Sequence, residues 1–140
     1  MALIIKRNAY ETIHTYVVLA EREAKDPFTV EIKLIKSKDM AKLDDGLTQI
    51  NNDQSVTLCS GSYNFNLLKK GLVNWKNLVD ENNNEVPIIK NTDGTVKDES
   101  LSNIPIFIIN EIADLIATAS RNPEAIDALI PKTDAKPKGK

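Results

Sequence analysis

The chain has 140 residues, 41% hydrophobic and 27% charged, with a formal net charge of −2 and one cysteine. That length suits a single domain with one sizeable core, and the near-balanced charge gives no general attraction to nucleic acid or an anionic membrane. A lone Cys59 excludes an intrachain disulfide, and no apolar run approaches the roughly 20 residues of a membrane span.

The start, MALIIKRNAY, places its basic pair after a short apolar run, the reverse of a secretory signal, so a cytosolic protein is expected. Ile13 to Ala20 is rich in β-branched and aromatic residues and predicts a strand. Phe28, Val30, Ile32 and Leu34 alternate with polar residues, which predicts a second, half-buried strand and a hairpin with the first. Ser37 then suits a helix N-cap, with Asp39 in the first turn. Met40, Leu43, Leu47 and Ile50 recur at steps of three and four and predict an amphipathic helix ended by Asn51-Asn52-Asp53.

Ser55 to Cys59 predicts a short strand. Ser62 suits the cap of a helix whose stripe is Phe65, Leu68, Leu72 and Trp75. Gly71 inside that stripe costs about 1 kcal/mol relative to alanine, which a close helix contact would explain. Leu78-Val79, the turn DENNNE and Val86 to Ile89 predict another hairpin, and Asp93-Gly94 a further turn. The last major helix is expected from near Asn103, with Pro105 in its first turn. Its stripe is Ile108, Ile112, Leu115 and Ala119, widened by Ile109 and Ile116. Asn122-Pro123 breaks it before a short helix through Leu129. Residues 131–140, PKTDAKPKGK, form a lysine-rich tail expected to be disordered in isolation.

The fold class is therefore α+β: a small, mostly antiparallel sheet packed against three helices. Its strands are expected near 13–20, 28–35, 55–59 and in the 77–89 hairpin. Residues 1–130 make a single domain and 131–140 the tail.

Catalysis needs a nucleophile beside a base. The only histidine, His14, and Cys59 both fall on strands, where packing is the commoner role. Asp80, Asn82 and Asn84 mimic positions one, three and five of a calcium loop, but Glu85 stands where glycine is needed and Asn91 where the bidentate glutamate is needed. A solvated turn is expected there, with no metal. The five glycines are scattered and build no phosphate loop. The chain thus predicts no enzyme, no cofactor and no small-molecule substrate. Trp75 is either a core residue or an interface anchor. Ile109 and Ile116 pose the same choice, because their helix carries more apolar surface than one small sheet covers.

Three stretches give a resemblance. DPFTVEIKLIKSKDMAKLDD (Asp26 to Asp45) leads a proline into a strand. Gly71 to Pro87 reads GLVxWKNxVDExxxxVP, and NIPIFIINEIADLIATAS (Asn103 to Ser120) starts a helix near a proline. In this order, over most of residues 13 to 120, the chain resembles small tailed-phage and prophage morphogenesis proteins, which themselves resemble tail assembly chaperones. It departs at Asn83-Asn84, which stand in place of a glycine, and in the loop from Lys90 to Ser100. The resemblance implies a non-catalytic protein that coats the tape-measure protein, or binds other tail or virion proteins, in the host cytoplasm. A structural virion component, such as a head–tail connector or tail component, is the first alternative, and a small cytosolic enzyme or regulator using Cys59 or His14 the second. A homo-oligomer fits either phage role.

Overall fold

The computed structural model describes Leu3 and residues 7–130; the lysine-rich segment 131–140 lies outside the described residues. The chain begins with a short helix, α1 (Arg7–Glu11), followed by β1 (His14–Val17) and a 3-10 turn at Leu19–Glu21. After β2 (Thr29–Ile32) come α2 (Ser37–Asp45), β3 (Thr48–Ile50), β4 (Val56–Leu58), α3 (Ser60–Gly71) and β5 (Leu72–Lys76). The remainder is helical: α4 (Asp98–Leu101), α5 (Ile106–Arg121), a 3-10 turn at Pro123–Ala125 and α6 (Ile126–Leu129). Small antiparallel sheets packed with helices make this an α+β fold, as expected.

The main sheet is antiparallel with the order β1-β2-β5. β1 and β2 form the expected hairpin, running from His14↔Ile32 to Val17↔Thr29. The alternation in β2 sends Val30 and Ile32 inward, where both are fully buried. β5 pairs with the other side of β2 and carries a bulge. Thr29↔Lys76, Val30↔Trp75 and Glu31↔Asn74 keep step, then Ile32 faces Leu72, leaving Val73 as the extra residue.

That bulge corrects the predicted stripe. Trp75 does not continue α3, which ends at Gly71; it sits in β5. Leu72 and Trp75 still point to the same side, because the extra residue puts both opposite the inward-facing Ile32 and Val30. A spacing of three that reads as helical is here a bulged strand. Trp75 is buried, its ring tilted against Phe28 at 6.3 Å, and its Nε1–H donates to the Val86 carbonyl at 2.7 Å.

Five further expectations are corrected. Helix α2 stops at Asp45 rather than near Ile50: the Gly46 and Leu47 N–H groups turn back to the carbonyls of Leu43 and Asp44, closing the last turn tightly. Ser37 is the first helical residue and makes no cap bond, and α3 starts at Ser60 with Ser62 inside it. The strand near 55–59 does not join the main sheet but pairs with β3 in a separate two-stranded sheet. The 77–89 segment forms only one isolated bridge, Val79↔Glu85, rather than a ladder. Helix α4 was not expected; its Leu101 is fully buried, and Ser100 Oγ accepts from the Ile89 N–H at 2.8 Å.

The core lies between the sheet and the pair α3 and α5. Leu67 and Leu68 meet Ile109, Ile112, Ala113 and Ile116 there, all fully buried. Gly71 allows this approach: a Cβ on it would lie 3.0 Å from two atoms of Ile116 and 3.2 Å from the Lys33 carbonyl. The close contact expected from its place in the sequence is therefore present. Trp75→Ala would remove the ring that covers Phe28 and leave the Val86 carbonyl without its donor. A loss of about 3–5 kcal/mol is expected, read as a lower chemical-denaturation midpoint; an unchanged midpoint would show that the indole contributes nothing to the core.

Candidate functional site: an exposed amphipathic hairpin

The segment 48–58 is the least covered regular structure in the described chain. β3 and β4 pair in the register Thr48↔Leu58, Gln49↔Thr57 and Ile50↔Val56. Residues directly opposite in an antiparallel pair share a face, and so do residues two apart. Thr48, Ile50, Val56 and Leu58 therefore make one face, and Gln49, Asn51, Ser55 and Thr57 the other. The polar face is bonded to itself: Asn51 Nδ2 donates to Ser55 Oγ at 3.0 Å and to Thr57 Oγ1 at 2.8 Å.

The apolar face is open to solvent. Ile50 is 77% exposed, Val56 64% and Leu58 65%. Burying side chains of this kind is worth about 1.5–3 kcal/mol each, and the fold leaves that unused. Two-stranded hairpins are marginal in water unless a third strand or a packing surface supports them.

Local bonds hold this one. The turn Asn51–Ser55 closes with Asn51 N–H to Ser55 O and Gln54 N–H to Asn51 O, both at 2.9 Å. Gln54 takes φ 69°, the left-handed position of a three-residue loop with a bulge. Asp53 Oδ1 accepts from the Ser55 N–H at 3.0 Å and from its hydroxyl at 2.6 Å, and these bonds hold the Asp53 carboxyl below its ordinary range.

The base of the hairpin is clamped. Cys59 N–H donates to Leu47 O at 2.6 Å, joining the two chain ends. Beside them, Asp44 at the end of α2 takes both arms of Arg121 from the end of α5, at 3.0 and 2.7 Å. Tyr63 of α3 donates to the same carboxylate at 2.8 Å and accepts from Arg121 Nη2 at 2.7 Å. The Arg121 guanidinium first, then the Tyr63 hydroxyl, holds the Asp44 carboxyl below its ordinary value of 3.8. Burial, then Asp44, pushes the Tyr63 hydroxyl up. Three helices are thus tied at the point where the hairpin leaves them.

The residues expected to form an interface lie elsewhere. Ile109 and Ile116 have no exposed surface, and Trp75 is buried in the core. The expected contact face is therefore corrected: α3 packs over both isoleucines, because Gly71 lets it come close enough to cover them. The surplus apolar surface of α5 is instead at its first turn, where Ile106 is 57% and Phe107 59% exposed. Ile50, Val56 and Leu58 were missed. Their signal is the alternation TQIN and SVTL on either side of a polar turn, hidden because Ile50 also fits the helical spacing that starts at Met40.

His14 Nε2 bonds the Ala9 carbonyl at 2.9 Å. Cys59, half-buried beyond β4, has only a long contact to the Thr57 carbonyl at 3.9 Å. His14 opens β1, whereas Cys59 lies between β4 and α3. Asp80 Oδ1 accepts from the N–H groups of Asn82 and Asn84, both at 2.9 Å, so the calcium-like positions close a turn on themselves. Among the described residues no group of three or more His, Cys, Asp or Glu side chains is placed to hold a metal, and no helix is long and apolar enough to cross a membrane. No protein-family model, curated protein or solved structure matches the chain.

Two outcomes follow from these placements. The double change Ile109→Lys and Ile116→Lys puts two unpaired charges in the core and should unfold the chain, read as lost far-UV circular dichroism; a folded variant would show that the two side chains leave the core freely. Asp44→Asn should lower stability near neutral pH by no more than about 1 kcal/mol, since its ion pair is partly solvated. A depressed carboxyl stabilises above its unfolded value and loses that contribution as pH falls through its folded value. The difference between variant and parent should therefore shrink below pH 3.8. Equal stability at neutral pH would show that the clamp adds nothing.

Proposed function

We propose that this protein is a non-catalytic bacteriophage morphogenesis protein of tail-assembly-chaperone type. It binds the tape-measure protein, or another tail protein, through the hairpin face of Ile50, Val56 and Leu58. One observation supports the binding reading above all: a regular amphipathic hairpin presents its apolar side to solvent, on a base tied to three helices. Exposed apolar side chains gathered on one projecting element mark interaction sites. The phage context rests on the resemblance of the segments Asp26 to Asp45, Gly71 to Pro87 and Asn103 to Ser120.

The chemistry of the face suits such a client. It carries no charge, so it selects for apolar surface rather than for an ionic sequence. A chaperone of a long, aggregation-prone protein needs that tolerance. The rigid base keeps the face presented while the rest of the domain stays folded.

Ile50→Lys with Leu58→Lys changes only exposed side chains. Its denaturation midpoint should stay within the surface range of about 0.5 kcal/mol. Co-purification with a co-expressed tape-measure protein should be lost. Undiminished co-purification would remove the hairpin as the binding surface. Mass spectrometry of purified virions separates a transient chaperone from a built-in component: abundant protein in mature particles would favour the structural role.

A further inference from the structure

We infer that a patch of lysines at the start of α2, continued by the lysines that follow Ile130, binds the phosphate backbone of double-stranded DNA without reading its sequence. This goes beyond the proposed function and uses a different surface. The hairpin leaves the far end of α2, whose nine residues put roughly 13 Å between the two.

The fold gathers the patch from three segments. The Lys33 N–H donates to the Gly71 carbonyl at 2.8 Å, which sets the end of β2 beside Lys70 at the end of α3. Lys70 Nζ lies 3.9 Å from Asp39 Oδ1 in the first turn of α2, where Lys36 and Lys38 also lie. All four lysines are exposed, and among the described residues Lys33, Lys36 and Lys38 form no ion pair. The Lys70–Asp39 pair is half-exposed and contributes little, so it does not withhold that charge. Leu34, between Lys33 and Lys36, is buried with Ala119 and Ile126, and Ile130 packs on the same cluster. The chain therefore continues from beside the patch. Its next ten residues bring Lys132, Lys136, Lys138 and Lys140, all within about 36 Å of Ile130.

The net charge of −2 hides this asymmetry. Lys33, Lys36, Lys38 and Lys70 against Asp39, with Lys132, Lys136, Lys138 and Lys140 against Asp134, carry +6, so all other side chains together carry −8. Glu124 and Asp127 lie nearby but line a cleft with Arg7 and His14. A partner must be anionic, and the acidic remainder of the protein turns it toward this end. Duplex DNA carries one charge per about 1.7 Å of its axis, whereas an acidic peptide has at most one per residue, roughly every 3.3–3.6 Å. The cations are all lysines, point charges that take a phosphate in many orientations. The patch lacks the arginine forks that pair with carboxylates or base edges. None of its residues is aromatic, so nothing in it stacks on the bases of a single strand.

Fluorescence anisotropy with a labelled, mixed-sequence DNA duplex tests this. The parent should bind at low salt, and its affinity should fall with a log–log salt slope of about −4 to −7, as roughly five to eight lysine–phosphate contacts require. Lys33→Gln with Lys36→Gln and Lys38→Gln changes only exposed side chains. With unchanged far-UV circular dichroism, this triple variant should bind at least about tenfold more weakly, with a slope shallower by about 2–3. The chain ended at Ile130 should weaken in the same way. Lys25→Gln, before the opposite end of β2, should follow the parent. A parent that fails to bind at low salt overturns the proposal, as does parent-like binding by the triple variant or by the shortened chain. Poly-glutamate that displaces the duplex at equal charge concentration would make the partner an acidic protein. Anionic lipid vesicles that bind more tightly than the duplex would make it a membrane. Either result also overturns the proposal.

Discussion

The fold turns on the absence of a side chain at Gly71. Here α3 ends, β5 begins, and three elements converge within contact distance. The Gly71 carbonyl accepts from the Lys33 N–H at 2.8 Å, which joins the end of the helix to the extension of β2. Ile116 of α5 fills the space where a Cβ would sit, with two of its atoms 3.0 Å away. A methyl group there would force apart the helix pair or the helix and the sheet, and close-packed interiors yield little to such strain. The close fit of Ile116 against α3 depends on this approach, and the bulge that turns Leu72 and Trp75 inward begins directly after it.

Much of the architecture is legible in the residues, where local pattern and tertiary burial agree. The β1–β2 hairpin follows from alternation. α5 follows from its broad apolar stripe, though it starts at Ile106, just after Pro105, rather than near Asn103; the Pro105 carbonyl takes the N–H groups of Ile108 and Ile109. The break at Asn122-Pro123 and the turn at Gly94, with φ 90°, follow from residue chemistry. The errors arise where one spacing supports two structures. Leu72 and Trp75 are three apart and both buried, which a helix provides directly and a strand provides only through a bulge. Leu47 and Ile50 continue the period of α2, yet Gly46 has already closed that helix. Nothing in a single sequence announces a bulge or tells which of two compatible periods the core will select.

Buried polar groups explain how the irregular half of the chain is held. Ser120 Oγ accepts from the Ile35 N–H at 2.9 Å, just as Ser100 Oγ serves Ile89. Glu111 accepts both the Tyr16 hydroxyl and the Leu19 N–H, the latter at 2.8 Å. Burial, then Glu111, pushes the Tyr16 hydroxyl up to about 12, so it remains a donor across the physiological range. Three of these bonds give a partner to the N–H groups of Ile35, Ile89 and Leu19, which lie outside the strand ladders. The helices thus anchor loops that the small sheet cannot reach.

Three turns in this chain share one geometry, and their different uses bear on function. Asn51–Ser55, Asp80–Asn84 and Asn91–Thr95 each close with two backbone bonds and place their fourth residue at positive φ: Gln54 at 69°, Asn83 at 66° and Gly94 at 90°. Around the second and third, the chain pairs through single bridges and lays Val86, Ile88 and Val96 against the core. Around the first, it forms a complete short ladder, and only Leu47, just before that ladder, packs against the core. The same local chemistry therefore yields structure supported by burial in two cases and structure without it in the third. Alternation is stringent only where a face is to be covered. A hairpin that gathers Ile50, Val56 and Leu58 on one uncovered side has the pattern on which the proposed binding role rests.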